Sequence, residues 1–237
     1  MSISKSLRQR QNQHKAKNTR SKEDDKHIDQ AMEKVIDYLS ERFDFKKEFA
    51  KYDIVFESEI LVSDMIGHIK KKKIRNEFDL RFMDRRIKPD GGALFLINIE
   101  TSERQLLLVS EVKRQGTNDE RAREGQKRQA VGNAIERLGK NQTGIRAMMC
   151  HEKLTPFVCF GSGCDFAETE LTVLSKVSTL NEFYPLNRTF IFKRDGSSDT
   201  NFFSPVSMYF REEVWSADEM FNVMKEIAET AFRYYVY

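Results

Sequence analysis

Apolar residues along this 237-residue chain follow two rhythms. Ile28, Met32, Val35, Leu39 and Phe43 recur at helical spacing, which predicts a helix from Ser21 to Phe43, with Ser21 and Asp24 forming a weak capping signal. Met220, Met224, Ile227, Ala231 and Tyr235 form a second helical stripe behind the capping box Ser216-x-x-Glu219. That stripe reads as core, with a dimer contact as the lesser alternative. Between the two, short continuous apolar runs bounded by turn residues predict buried strands. "ALFLINI" (93–99) and "QLLLVSEVK" (105–113) form a hairpin around the loop 100–104, preceded by the turn "PDGG". "PFVCFGS" (156–162) and "TFIFKR" (189–194) read as further strands, and a shorter helix is expected from Ala130 to Lys140. Residues 45–87 are ambiguous, either one helix or a helix and a turn, with a basic run from Lys70 to Lys73 that suits a solvated face. The polar stretch after Arg114 reads as an exposed loop. No repeat or linker divides the chain, so the pattern predicts a single α/β domain with a mixed sheet and flanking helices.

Composition alters this picture mainly at the N-terminus. Residues 1–22 carry seven basic residues and no acidic one, whereas the remaining 215 hold 33 basic and 37 acidic residues. The arm has no hydrophobic period and is expected to be mobile in isolation. Basic arms grip phosphates, and a solubilising tail is the plainer alternative. No run of residues is apolar and long enough to cross a bilayer, and no apolar segment marks a secretory signal, so a cytoplasmic protein without a membrane partner is expected. Cys150, Cys159 and Cys164 show no metal-ligand spacing and read as reduced thiols without a function.

The hairpin 93–113 poses a chemical question. An apolar run should not end in Glu111 and Lys113, two residues apart and therefore on one face of a strand, unless each charge has a partner. The hairpin closes its own ends together, which brings Asp90 beside Glu111. Two converging carboxylates repel unless a cation intervenes, and hard oxygen ligands suit Mg²⁺. Such an ion polarises a phosphoryl oxygen and acidifies a bound water, while Lys113 would position that water or stabilise charge on phosphorus. A match this short recurs by accident, and the bland reading is a Glu–Lys pair beside a Pro-Asp-Gly turn. Here, however, Asp90 follows a proline and precedes a strand, and the E-x-K closes an apolar run. This is the pattern of the PD-(D/E)xK nuclease core.

"IKPDGG", "VSEVKRQG" and "GNAIERLGKN" occur in this order, and the chain resembles the EcoRI-type restriction endonucleases. The third block is the most telling, since many nucleases share the acidic pair and lysine. Likeness in "QHK" of the arm, "PFVCFGSGCDF" and "VSMYF…EMFNVMKEIAETAF" extends it over most of the chain. The resemblance implies a five-stranded mixed central sheet, with residues 1–22 as a DNA-wrapping arm and 23–237 as one catalytic and recognition domain. It implies a Mg²⁺-dependent type II enzyme that cuts duplex DNA at a palindrome with an AATT core. The products would be 5′-phosphate ends with four-base 5′ overhangs.

The resemblance assigns Asp90, Glu111 and Lys113 to catalysis, with Asp90, Glu111 and the Val112 carbonyl holding the metal. It assigns Gln115, Gly132, Asn133, Ala134, Glu136, Arg137, Lys140 and Lys176 to DNA. Asn133 and Arg137 stand at i and i+4 on one side of a helix, and these residue types can hydrogen-bond purines in the major groove. Gly132 lets backbone approach closely. Glu136 and Arg137 carry over as a charged pair supporting the readout of the inner adenines, and Gln115 as a link between cleavage centre and recognition.

One segment departs from the family. The EcoRI type contacts its outer G·C pair through arginines, where this chain has Lys176 and Thr179 in "LSKVSTL" (174–180). That leaves GAATTC, CAATTG, a degenerate flank and AATT alone all open. A palindrome calls for a two-fold homodimer, and a host would need a partner methyltransferase. The competing readings are a structure-specific repair or junction nuclease of the same fold and a catalytically inactive DNA-binding regulator.

Overall fold

The structure, a computed structural model, describes residues 3–65, 85–115, 125, 132–149, 152–166, 186–191 and 206–237, with backbone alone for 3–21 and 132–137. Its centre is a sheet of five strands: β1 (Tyr52–Glu57), β4 (Ala93–Asn98), β5 (Arg104–Arg114), β6 (Phe157–Ser162) and β7 (Ser207–Arg211), hydrogen-bonded side by side in that order. The pairs β1–β4 and β4–β5 are antiparallel and the pairs β5–β6 and β6–β7 parallel, so the expected mixed five-stranded sheet is present. Two short strands, β2 (Ile60–Leu61) and β3 (Arg86–Ile87), pair separately.

Alternation along the strands separates two cores. Leu94, Leu96, Val158 and Phe160 face one side, packed against α1 (Ile3–Arg42) and α3 (Ala217–Val236). Ala93, Phe95, Phe157 and Cys159 face the other, against Leu138, Ile145 and Met148 of α2 (Gly132–Met148) and Met149 just beyond it. The stripes read from the sequence are those buried between α1, α3 and the sheet: Ile28, Val35 and Leu39 from one helix, Met220, Met224 and Ala231 from the other. At one end Phe43 and Phe232 bring the helices together, ring centroids 4.1 Å apart, with Phe49 edge-on to Phe232. Ser216 caps α3 as expected: its hydroxyl accepts from Glu219 N–H (3.3 Å), and Glu219 Oε2 accepts from Ser216 N–H (2.9 Å).

Four expectations need correction. The first helix begins at Ile3 rather than Ser21. Residues 3–20 lack an apolar stripe, but Lys, Arg, Gln and Ala are good helix formers, and extending a helix already anchored at Ile28 needs no new nucleus. Residues 52–57 and 60–61 are strands, not helix. β1 exists because β4 offers it a pairing edge, with Ile54 opposite Leu96, and no local pattern announces that edge. The basic run Lys70 to Lys73 lies outside the described residues.

The fifth strand is Ser207–Arg211, and residues 189–191, the described part of the expected strand 189–194, are not in strand conformation. Residues 186–191 lie beside it through one bridge, Arg188 to Met208, with Asn187 Oδ1 accepting from Phe210 N–H (2.9 Å) and Ser207 Oγ from Phe190 N–H (2.9 Å). Two short aromatic runs compete for this edge, and parallel pairing with β6 selects the second. Residues 192–194 lie outside the described residues. Finally, α2 continues past Lys140 to Met148, because Ile145 and Met148 extend the buried face of Leu138.

Among the described residues no helix is long and apolar enough to cross a membrane. Cys159 is a buried thiol, Cys164 is a half-buried thiol that donates to Asp165 Oδ1 (3.9 Å), and Cys150 lies outside the described residues.

Candidate active site

The site forms where the turn before β4 meets the end of β5. Gly92 N–H donates to Pro89 carbonyl (3.1 Å), Gly91 N–H to Ser110 carbonyl (3.0 Å), and Ser110 N–H to Gly92 carbonyl (3.3 Å). The turn needs both glycines. Gly92 has φ +70°, in the left-handed region. A Cβ on Gly91 would lie 2.2 Å from Ser110 Oγ and 2.7 Å from Ile28 Cγ1, so α1 packs directly on the turn. Asp90 is thereby fixed at the mouth of the hairpin.

β5 carries a bulge: Leu94 pairs with Leu108, but Phe95 pairs with Leu106, leaving Leu107 extra. Such an insertion reverses which residues face which side. Beyond it Ser110, Val112 and Arg114 face α1, and Glu111 and Lys113 face α2 beside Cys159 and Gly161 of β6.

The three residues singled out in the sequence converge. Lys113 Nζ forms an ion pair with Asp90 Oδ2 and lies 3.0 Å from Glu111 Oε1. Glu111 Oε2 accepts from Asp90 N–H (3.2 Å), and Asp90 Oδ2 also accepts from Val112 N–H (3.3 Å). The Glu111 side chain is fully buried, Lys113 is 14% exposed and Asp90 31%, so the cluster meets solvent on the Asp90 side. Burial pushes the Glu111 carboxyl above its ordinary value, with Lys113 opposing and Asp90 reinforcing that shift. Burial draws the Lys113 ammonium down, but Glu111 and Asp90 together outweigh it and hold it above its usual range. Burial likewise raises the Cys159 thiol, leaving it protonated and inert beside the pocket.

Both N–H and C=O of Ser110 meet the glycine turn, and Val112 N–H meets Asp90. By the two-residue alternation of a strand, the Val112 carbonyl leaves β5 along that same edge. Two carboxylates already gathered on one cationic group, with a carbonyl beside them, form a hard oxygen set that fits Mg²⁺ and lacks the nitrogen and sulfur preferred by zinc. Among the described residues no group of three or more His, Cys, Asp or Glu has metal-binding geometry.

The remaining sequence assignments are placed less fully. Gly132, Asn133, Ala134, Glu136 and Arg137 occupy the first turns of α2, with their side chains outside the described residues. Lys140, one turn on, is exposed, and Lys176 lies outside the described residues. Gln115 is pinned by its backbone: its N–H donates to Ser162 carbonyl (2.9 Å) and its carbonyl accepts from Asp165 N–H (3.4 Å). Gly163 makes this possible, since a Cβ there would lie 1.7 Å from Gln115 O.

Three residues at the site were missed in the sequence. Asn141 Nδ2 donates to Glu111 Oε1 (2.6 Å) from the inner face of α2. Asp24, buried on α1, pairs with Arg114 (3.0 Å). Asp25 is raised by burial and then by nearby Asp90, which brings it within electrostatic reach of the pocket. Signals for the first two existed. Asn141 is polar between Leu138 and Ile145 on a buried face, and Asp24 stands one turn before Ile28 on another.

Comparison with known proteins accords with this geometry. The family described as "Restriction endonuclease EcoRI" matches residues 11–175. The type II restriction enzyme RsrI of Cereibacter sphaeroides is 29% identical over 177 residues, covering 62% of this chain and 63% of that protein. The type II restriction enzyme EcoRI of Escherichia coli is 26% identical over 178 residues, covering 62% and 64%. The matched stretch therefore spans less than two thirds of the length of either relative. The family match runs through the glycine turn, the hairpin and all of α2, well over half of the sequence, and the chain belongs to the EcoRI restriction endonuclease family.

Proposed function

We propose that this chain is a type II site-specific deoxyribonuclease that hydrolyses duplex DNA at a palindrome with an AATT core. The reaction is Mg²⁺-dependent and leaves 5′-phosphate ends with four-base 5′ overhangs. The observation that carries this reading is the convergence of Asp90 and Glu111 on the Lys113 ammonium at the mouth of the hairpin. Asp90, Glu111 and the Val112 carbonyl would hold Mg²⁺. When bound, that ion supplies Lewis-acid stabilisation of the scissile phosphate and a more acidic water. Lys113, a donor already directed between the two acids, orients the attacking water and offsets charge gathering on phosphorus. Hydrolysis breaks the bond from phosphorus to the 3′-oxygen, which leaves with a proton, and water supplies the new oxygen on the 5′-phosphate.

Recognition falls to the start of α2. Asn133 and Arg137 read adenines, Glu136 braces Arg137, and Gly132 and Ala134 let backbone approach the bases. Gln115 links this segment to the catalytic strand, while Lys140 and Lys176 bind DNA nearby. The basic residues of 1–22 follow the phosphates. Two copies act as a homodimer, one on each strand, because a palindrome presents the same half-site twice. A host of such an enzyme needs a methyltransferase for the same site.

Digestion of a sequenced plasmid with Mg²⁺, followed by mapping of fragment ends, tests the proposal. Discrete fragments ending at AATT-centred sites are expected. Cleavage confined to junctions or damaged duplex would replace the reading with a structure-specific nuclease, and no scission with site-specific binding would leave a regulator.

A further inference from the structure

Helix α2 presents an apolar inner face, with Leu138, Ile145 and Met148 buried against the sheet. Asn141 lies on that face, half-buried, and spends its amide on the fully buried Glu111. A carboxylate only accepts, so the amide nitrogen must be the atom that faces it. Both oxygens of Glu111 are then held: Oε1 by Asn141 Nδ2 (2.6 Å) and Lys113 Nζ (3.0 Å), Oε2 by Asp90 N–H (3.2 Å). Lys113 and Asp90 belong to the hairpin and its turn. Among the described residues, Asn141 is the contact that reaches Glu111 from another element. That element also carries Gly132–Arg137 at its start, and Asn133 precedes Asn141 by about 12 Å of helix axis.

We infer that Asn141 is a positioning residue that fixes the Glu111 carboxylate for metal binding and ties it mechanically to the helix whose first turns meet DNA. The inference rests on the nuclease reading above. Asn141 touches neither substrate nor metal; it acts through Glu111. A shift or roll of α2 on engaging its site would move Asn141 and with it the orientation of Oε1. Hydrogen bonds of this outer kind govern how well a ligating carboxylate holds its ion.

The test uses the full chain, as wild type and as Asn141→Ala and Asn141→Ser. The serine retains a donor of shorter reach. Mn²⁺ is titrated in the presence of an AATT-centred duplex and followed by water-proton relaxation, with duplex affinity measured separately in the absence of metal. The alanine variant is expected to bind Mn²⁺ about tenfold more weakly, with serine intermediate. Duplex affinity without metal should stay at the wild-type level. Unchanged Mn²⁺ affinity in a folded variant overturns the inference. So does failure of both variants to fold, which would make Asn141 a core residue only. A wild-type chain that takes up no Mn²⁺ and cuts no duplex refutes the nuclease reading itself, a result distinct from a normal wild type with unaltered variants.

Discussion

Asp90 and Lys113 meet across the mouth of a hairpin as an ion pair. Removing either leaves a charge exposed to the pocket but does not touch the first turns of α2. Lys113→Ala and Asp90→Ala should therefore each lower the cleavage rate by about 10²–10³-fold or more. Site-specific binding in a gel-shift assay should persist, and undiminished cutting by either variant would remove the proposed mechanism. Gly91→Ala tests the support beneath them. Its new methyl would overlap Ser110 Oγ and Ile28, and overpacking of this kind costs about 1–3 kcal/mol in urea unfolding. Displacement of the turn should also reduce cleavage, because Asp90 precedes Gly91 directly.

At the scale of elements, β5 is gripped from both sides. Asn141 of α2 holds Glu111, and Asp24 of α1 holds Arg114. The bulge at Leu107 makes this division possible, since it sends residues 111 and 113 to one face and 110, 112 and 114 to the other. The C-terminal helix shows a separate device. The Arg211 guanidinium, followed by the Ser216 amide and hydroxyl, holds the Glu219 carboxyl down to about 2. Arg211 in turn covers the Trp215 ring at 3.7 Å. A carboxyl lowered in the folded state stabilises at pH above its unfolded value, near 4.5, and that contribution disappears as pH falls towards 2. Glu219→Gln should flatten this acid limb when melting temperature is followed from about pH 5 to pH 2. Because Glu219 is largely solvated, the effect stays below about 1 kcal/mol. A limb as steep as that of the wild type would show that the pair contributes nothing.

Across the whole molecule, α1 joins the basic N-terminal segment to the sheet as one helix. The charge asymmetry, seven basic residues in the first 22 against a net negative remainder, is then carried on a continuation of a core element. Deleting residues 1–22 should weaken DNA binding and flatten its dependence on salt, by about 0.9 in log–log slope for each phosphate the shortened chain no longer neutralises. The preferred sequence should stay the same. A truncated chain with undiminished affinity but a changed site would make this segment a reader of bases.

Local pattern by itself determined a good deal of this protein. The two long helical stripes, the capping box, the glycine turn and the hairpin from 93 to 113 are set by side-chain period and by residues that only certain backbones tolerate. The acidic pair and lysine were legible for the same reason, because a hairpin must bring its own ends together. Pairing partners far along the chain decided the rest. β1 and β7 became strands where β4 and β6 offered open edges, and residues 189–191 of the expected strand 189–194 did not extend the sheet. The bulge that aims Glu111 towards α2, the burial of Asp24 and the reach of Asn141 depend on how separate layers dock. Period and propensity act within a few residues, whereas register and the company a buried carboxylate keeps are fixed only when the layers pack.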